Sequence, residues 1–173
     1  KPIKKAALIY DKFKKYTAEK STYDIIEKLA NLIEVLPILD DISKNLGKIF
    51  EKIVEDMKQR LSAKRFKHVL AVADAAVKLA HHYGQNEEKA ELAGLLHDAA
   101  KEESLKCMQD SARILYGSTL DDEVMQRPEL LHGYAAAAYA SLTYNVFDND
   151  VLRAIAYHTT GHIEMSPLEK IIF

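Results

Sequence analysis

Five residues in the second half of the chain carry side chains that hold metal ions: His68, His97, Asp98, His132 and His158. Imidazole and carboxylate are suitable donors for iron, manganese or zinc. Neutral imidazoles bring no charge, so cations held by them keep most of their positive charge for an anionic substrate. Two cations roughly 3.5–4 Å apart can bind a phosphoryl oxygen, lower the pKa of a bridging water and steady a leaving group. A polyphosphate, already negative and resistant to attack, needs that help. His97 and Asp98 are neighbours at the C-terminal end of an apolar helical pattern, Ala93-Gly94-Leu95-Leu96-His97-Asp98-Ala99-Ala100-Lys101. Neighbours within a helix do not share a face. At a helix end, however, adjacent side chains can converge on one metal, or Asp98 can bridge two.

Taken singly, each histidine has a plainer use as a satisfied core residue. His81 and His82 fit that plainer use. They close a helix before Tyr83-Gly84, where imidazole suits the negative end of the helix dipole. Lys101 lies about one turn beyond Asp98 and is a candidate phosphate contact. Arg65 lies three residues before His68, on the same helix face, and its guanidinium can clamp phosphate with two parallel bonds. Both cations can equally be solvated or pair with an acid. Thr159, Thr160 and Gly161 form a turn beside His158, where hydroxyl and backbone donors can meet phosphate or nucleoside, or cap a helix end. His162 follows that turn and either touches substrate or faces water.

The elements that must position these residues are helical throughout. Lys64–Tyr83 carries an apolar stripe through Phe66, Val69, Leu70, Ala73, Ala76, Val77 and Ala80, and Gly84 closes it as a C-cap. Glu87–Leu96 leads into His97-Asp98. Ser104–Tyr116 stops at Gly117, and Asp121–Arg127 ends at Pro128. Leu131–Thr143 is alanine-rich, opens with His132 and lets its neighbours pack closely. Asp148–His158 breaks at Gly161. Ser166 caps a last helix with Pro167 in its first turn. Upstream, Ala6–Tyr16 reads as a short basic helix. A second helix spans Tyr23 to Leu36 behind a Ser21 or Thr22 cap and ends at Pro37. A third starts from Asp40 or Asp41 and runs to Met57. No segment alternates like a strand. The expected class is all-α, divided into a helical extension at residues 1–57 and a chemical domain at residues 58–173, where all seven histidines lie.

Composition sets limits. A length of 173 residues suits one domain with an appendage. The formal net charge of −2 gives no global case for nucleic acid or an anionic membrane as partner. The one cysteine, Cys107, cannot form an internal disulfide and suits a reducing cytoplasm. No apolar run approaches the roughly 20 residues of a membrane span. The chain starts at Lys1 and stops within an apolar pattern at Ile171-Ile172-Phe173, as a fragment would.

The order of the motifs is more specific than any one of them. Arg65-Phe66-Lys67-His68, Leu95-Leu96-His97-Asp98-Ala99-Ala100-Lys101, Leu130-Leu131-His132-Gly133, Tyr157-His158-Thr159-Thr160-Gly161 and Ser166-Pro167-Leu168-Glu169-Lys170-Ile171-Ile172 follow one another. Over residues 58–173 this set resembles the HD-domain superfamily, and within it the YqeK-type symmetrical bis(5′-nucleosyl)-tetraphosphatases. The resemblance implies a compact helical HD domain and a homodimer. It also implies a dinuclear centre of two like ions, iron first, with manganese or another divalent metal as the alternative. His68, His97 and Asp98 would serve one ion, and Asp98, His132 and His158 the other. The implied reaction is hydrolysis of diadenosine tetraphosphate to two ADP by a metal-bridging hydroxide. The family pattern continues with an aspartate in a Leu-Ala-Asp-like segment that would complete the first ion's shell, and this sequence stops before it. Two other functions compete: an HD phosphohydrolase for another nucleotide or phosphate ester, and a non-catalytic nucleotide-binding HD module. Sorting the histidines this way makes a prediction. His81→Ala should leave turnover unchanged in a steady-state assay, and a large loss would show the sorting to be wrong.

Overall fold

The computed structural model describes residues 22–173. Among the described residues every regular element is an α-helix: α1 (Thr22–Arg60), α2 (Ala63–His82), α3 (Glu87–Leu96), α4 (Leu105–Tyr116), α5 (Asp122–Gln126), α6 (Pro128–Tyr144), α7 (Asn149–Tyr157) and α8 (Pro167–Ile172). The expected helix at Ala6–Tyr16 lies outside the described residues. The described residues fall into two units, residues 22–49 and residues 50–173. In the first, the described apolar side chains Ile33, Leu36, Leu46 and Ile49 are exposed.

Two proline readings are corrected. Pro37 does not end a helix, and neither Asp40 nor Asp41 caps a new one, because α1 runs unbroken from Thr22 to Arg60. A proline inside a helix forfeits its own N–H bond and crowds the preceding turn. Here regular helix on both sides carries the backbone through it. Likewise Pro128 does not merely stop α5. It is the first residue of α6, where its missing N–H is one the helix start would leave unpaired anyway. The alanine-rich helix therefore begins three residues earlier than Leu131, and His132 sits in its second turn rather than at its opening.

Local chemistry accounts for the other boundaries. Ser62, Asn86, Ser104 and Asp148 each accept a hydrogen bond from a backbone N–H in the first turn of α2, α3, α4 and α7. Ser166 and Glu169 form a reciprocal capping box on α8. Beyond α2, Gly84 takes a positive φ of 66°, which only glycine adopts cheaply.

The core of residues 50–173 is built around α3 and α6. Leu131 to Ala138 on α6 are buried without interruption, so the middle of this helix has no solvent face. On α3, Ala90, Ala93, Gly94, Leu95 and Leu96 are buried. Small residues bring the backbones together. A Cβ on Gly94 would lie 2.7 Å from the Ala73 Cα of α2, and one on Gly133 would lie 2.6 Å from the Ala156 carbonyl oxygen of α7. These two contacts bring α3, whose C-cap is His97, and α6, which carries His132 in its second turn, close to α2 and α7. Ile53, Met57 and Leu61 complete the core.

Gly133→Ala tests this packing. Backbone atoms cannot yield as a flexible side chain does, so the cost should be about 1–3 kcal/mol, or roughly 2–4 °C in Tm per kcal/mol. Gly47→Ala, where nothing lies within 4 Å of the added methyl, should not lower Tm. Equal melting curves for wild type and Gly133→Ala would refute the close approach.

Candidate metal centre

Asp98 is 3% exposed, and its two oxygens face different ways. Oδ2 lies 3.5 Å from His97 Nε2 and 3.6 Å from His68 Nε2. Oδ1 lies 3.3 Å from His132 Nε2 and 3.6 Å from His158 Nε2. The five side chains thus form two three-donor groups sharing one carboxylate, His68/His97/Asp98 and Asp98/His132/His158, with ligand atoms within 4.8 Å of one another in each group. Four separate segments supply them: α2, the turn after α3, α6 and the end of α7.

Backbone carbonyls orient the rings. Nδ1 of His97 donates to Gly94 O at 2.7 Å, Nδ1 of His158 to Ile155 O at 2.7 Å, and Nδ1 of His132 to Pro128 O at 3.2 Å. A neutral imidazole that donates from Nδ1 presents a lone pair at Nε2. The Nε2 atoms of His132 and His158 then face each other across 3.0 Å, lone pair to lone pair. Such a pair calls for a shared proton donor or a cation. Lys101 Nζ sits 3.1 Å from His132 Nε2, and the Thr159 hydroxyl lies 3.3 Å from His132 Nε2 and 3.0 Å from His158 Nε2. The donor set therefore fits a divalent ion: neutral nitrogens converge with fixed tautomers on a shared anionic oxygen donor.

Electrostatics reinforces this. Burial alone would raise the Asp98 pKa, but the contacts with His132, His158 and His97 outweigh it and hold the carboxyl well below the usual carboxylate range. Burial lowers the His68 pKa from its ordinary value. Burial also lowers that of His158, against the pull of Asp98. Both shifts keep the imidazoles in the neutral form that metal ligation requires.

The structure places the remaining candidates variously. Arg65 Nη1 donates to Asp98 Oδ2 at 2.8 Å, so it reaches the same oxygen as His68. Thr159 points into the site. Thr160 lies instead beside the phenol of Tyr134, and Gly161 turns the chain with a φ of 59°. His162 lies in a second cluster. Its Nε2 is 2.7 Å from Oε1 of the buried Glu169 and 2.8 Å from Arg153 Nη2, while Arg153 Nε donates to the same Glu169 oxygen at 3.0 Å. His81 is exposed and pairs with Glu87 at 2.8 Å. Sequence reasoning passed over Arg153 and Glu169, and also Arg60, Ser62, Glu102 and Glu103, which surround the turn after Asp98. The capping pattern Ser166-x-x-Glu169 signals a local role for Glu169, but no spacing rule joins Arg60 to a carbonyl 39 residues away.

An all-helical core holding a shared His-Asp donor set at its helix ends defines a class, the helical metal-binding HD proteins. The HD-domain family profile matches residues 65–173, and the chain belongs to that family. A symmetrical bis(5′-nucleosyl)-tetraphosphatase of Staphylococcus aureus is 41% identical over 123 residues, covering 71% of this chain and 62% of that protein. The enzyme of the same name from Halalkalibacterium halodurans is 38% identical over 122 residues, covering 70% and 64%. Among solved structures, a predicted HD superfamily hydrolase involved in NAD metabolism from Clostridium acetobutylicum shares 42% identity at a TM-score of 0.66, covering 71% of this chain and 65% of that one. The chain thus spans a little under two thirds of the length of each.

Asp98→Ala separates a shared donor from a supporting residue. It should abolish metal uptake, a larger loss than the roughly 10–100-fold typical of a mere supporting residue, with the far-UV circular dichroism preserved. Elemental analysis of the purified variant after metal loading checks this. Wild-type metal content would refute the sharing of Asp98.

Proposed function

We propose that this chain hydrolyses dinucleoside polyphosphates, splitting diadenosine tetraphosphate into two ADP, with two metal ions, iron in preference to manganese. One observation carries the reading: a single buried carboxylate with each oxygen aimed at a different histidine pair. His68, His97 and Asp98 would hold one ion, and Asp98, His132 and His158 the other. When bound, such a pair polarises phosphoryl oxygen and supplies an activated water.

The chain's own residues do the rest. The Gly94, Pro128 and Ile155 carbonyls fix three rings so that little reorganisation accompanies binding. Lys101 and Arg65 bring two positive charges to the donor set, where they hold phosphate oxygens and offset charge on the leaving ADP. The Thr159 hydroxyl, already directed at the histidine nitrogens, is a donor for a phosphate oxygen. Thr160, Gly161 and His162 continue that edge toward the nucleoside, with His162 held by Glu169. The activity named for the two tetraphosphatase relatives supports the choice of substrate. The catalytic domain in this reading is residues 58–173, with residues 1–57 as a helical appendage. The protein acts as a cytoplasmic homodimer with neither nucleic acid nor membrane as partner. Among the described residues no helix is long and apolar enough to cross a membrane.

Product analysis tests the reading. Anaerobically purified, iron-loaded protein is incubated with diadenosine tetraphosphate and the products are separated chromatographically. ADP alone is the expected result. ATP plus AMP would keep a metal hydrolase but reject symmetrical cleavage. No product from metal-loaded protein would favour another phosphate substrate or a non-catalytic nucleotide-binding module.

A further inference from the structure

Residues upstream of the HD-matched segment grip the turn that carries Asp98 and Lys101. Arg60 closes α1. Its Nε donates to the Ala99 carbonyl at 2.7 Å, its Nη2 pairs with Glu103 Oε1 at 2.7 Å, and its guanidinium carbon lies 4.0 Å from the Tyr139 ring centroid on α6. Two residues on, the Ser62 backbone N–H and hydroxyl donate to the two oxygens of Glu102, each at 2.6 Å. The turn itself is held internally only by successive short bonds: Ala99 N to Leu96 O at 3.0 Å, Lys101 N to Asp98 O at 2.9 Å and Glu103 N to Ala100 O at 3.1 Å.

The charges explain why such a grip matters. Glu102 and Glu103 directly follow Lys101, and either carboxylate would attract its ammonium by ordinary Coulomb attraction. Ser62 and Arg60 engage both carboxylates elsewhere, and the Lys101 ammonium lies instead beside His132. We propose that Arg60 is a positioning residue: it fixes the turn from Asp98 to Glu103 and draws Glu103 away from Lys101, so that Lys101 stays directed at the metal centre. The consequence for turnover rests on the proposed function, but the hold on the turn does not.

The test uses the full chain with Arg60→Met, which keeps an aliphatic stem over Tyr139, together with Arg60→Lys, Lys101→Met and the double variant. Hydrogen exchange comes first. Arg60→Met should speed exchange of the amides of residues 99–103 by roughly ten- to hundredfold, the change that corresponds to one lost charge-assisted bond. Tm should move by less than about 4 °C, as for a partly exposed pair. Turnover comes second. Arg60→Met should lower kcat about tenfold with a smaller change in KM, Arg60→Lys should recover part of it, and Arg60→Met should cost little more in the Lys101→Met background. Unchanged exchange at residues 99–103 would overturn the proposal. So would an equal loss of kcat in both backgrounds, because the effect would then not pass through Lys101. Exchange needs no substrate. A wild-type chain that fails to hydrolyse diadenosine tetraphosphate would count against the proposed function, and the exchange rates would still decide whether Arg60 holds the turn.

Discussion

A carboxylate buried inside a helical core is costly unless something compensates it, and at Asp98 that compensation organises the unit formed by residues 50–173. Four imidazoles and one guanidinium surround two oxygens. No single helix can present such a set, because neighbouring positions diverge around its axis. The donors therefore come from ends and early turns of different helices. Close packing at Gly94 and Gly133 sets the distances between them. A methyl group at either place would force apart the backbones that bring these rings together.

Two effects compete at Asp98. Burial favours the protonated acid, and the surrounding histidine contacts reverse that preference. Burial disfavours the protonated forms of His68 and His158, so these two rings meet the anion as neutral nitrogens. Neutral rings cannot cancel the carboxylate charge, and Arg65 pairs with its Oδ2, which leaves capacity at the site for a divalent cation. The second polar cluster works differently. Glu169 is 1% exposed and satisfied by Arg153, His162 and the Ser166 backbone, so its charge is balanced within the protein. It ties α7 and α8 to the turn that follows His158.

The family match begins at residue 65, but the compact unit begins at Phe50. The difference is physical. Ile53, Met57 and Leu61 bury their side chains in the same core as Leu96 and Leu131, and Tyr144 on α6 donates to Asp56 on α1 at 2.9 Å. The C-terminal turns of α1 thus belong mechanically to the unit that holds the candidate metal donors, and Arg60 extends that connection to within one residue of Asp98.

The all-helical class and most helix limits were legible in the sequence because they depend on local rules. Apolar periodicity, Ser and Asp caps and glycine stops act within a few residues, so Glu87–Leu96 and the Ser166 cap emerge from the chain directly. Donor chemistry was also legible, since residue type alone identifies imidazole and carboxylate. Proline was misleading because its meaning depends on register: Pro128 opens a helix and Pro37 lies within one. The facing of each Asp98 oxygen toward its own histidine pair, the engagement of His162 by Glu169 and the grip of Arg60 on the Ala99 carbonyl came only from tertiary structure. Each depends on how helices distant in sequence pack, and the distances between their side chains are set by backbone contacts that no local pattern encodes.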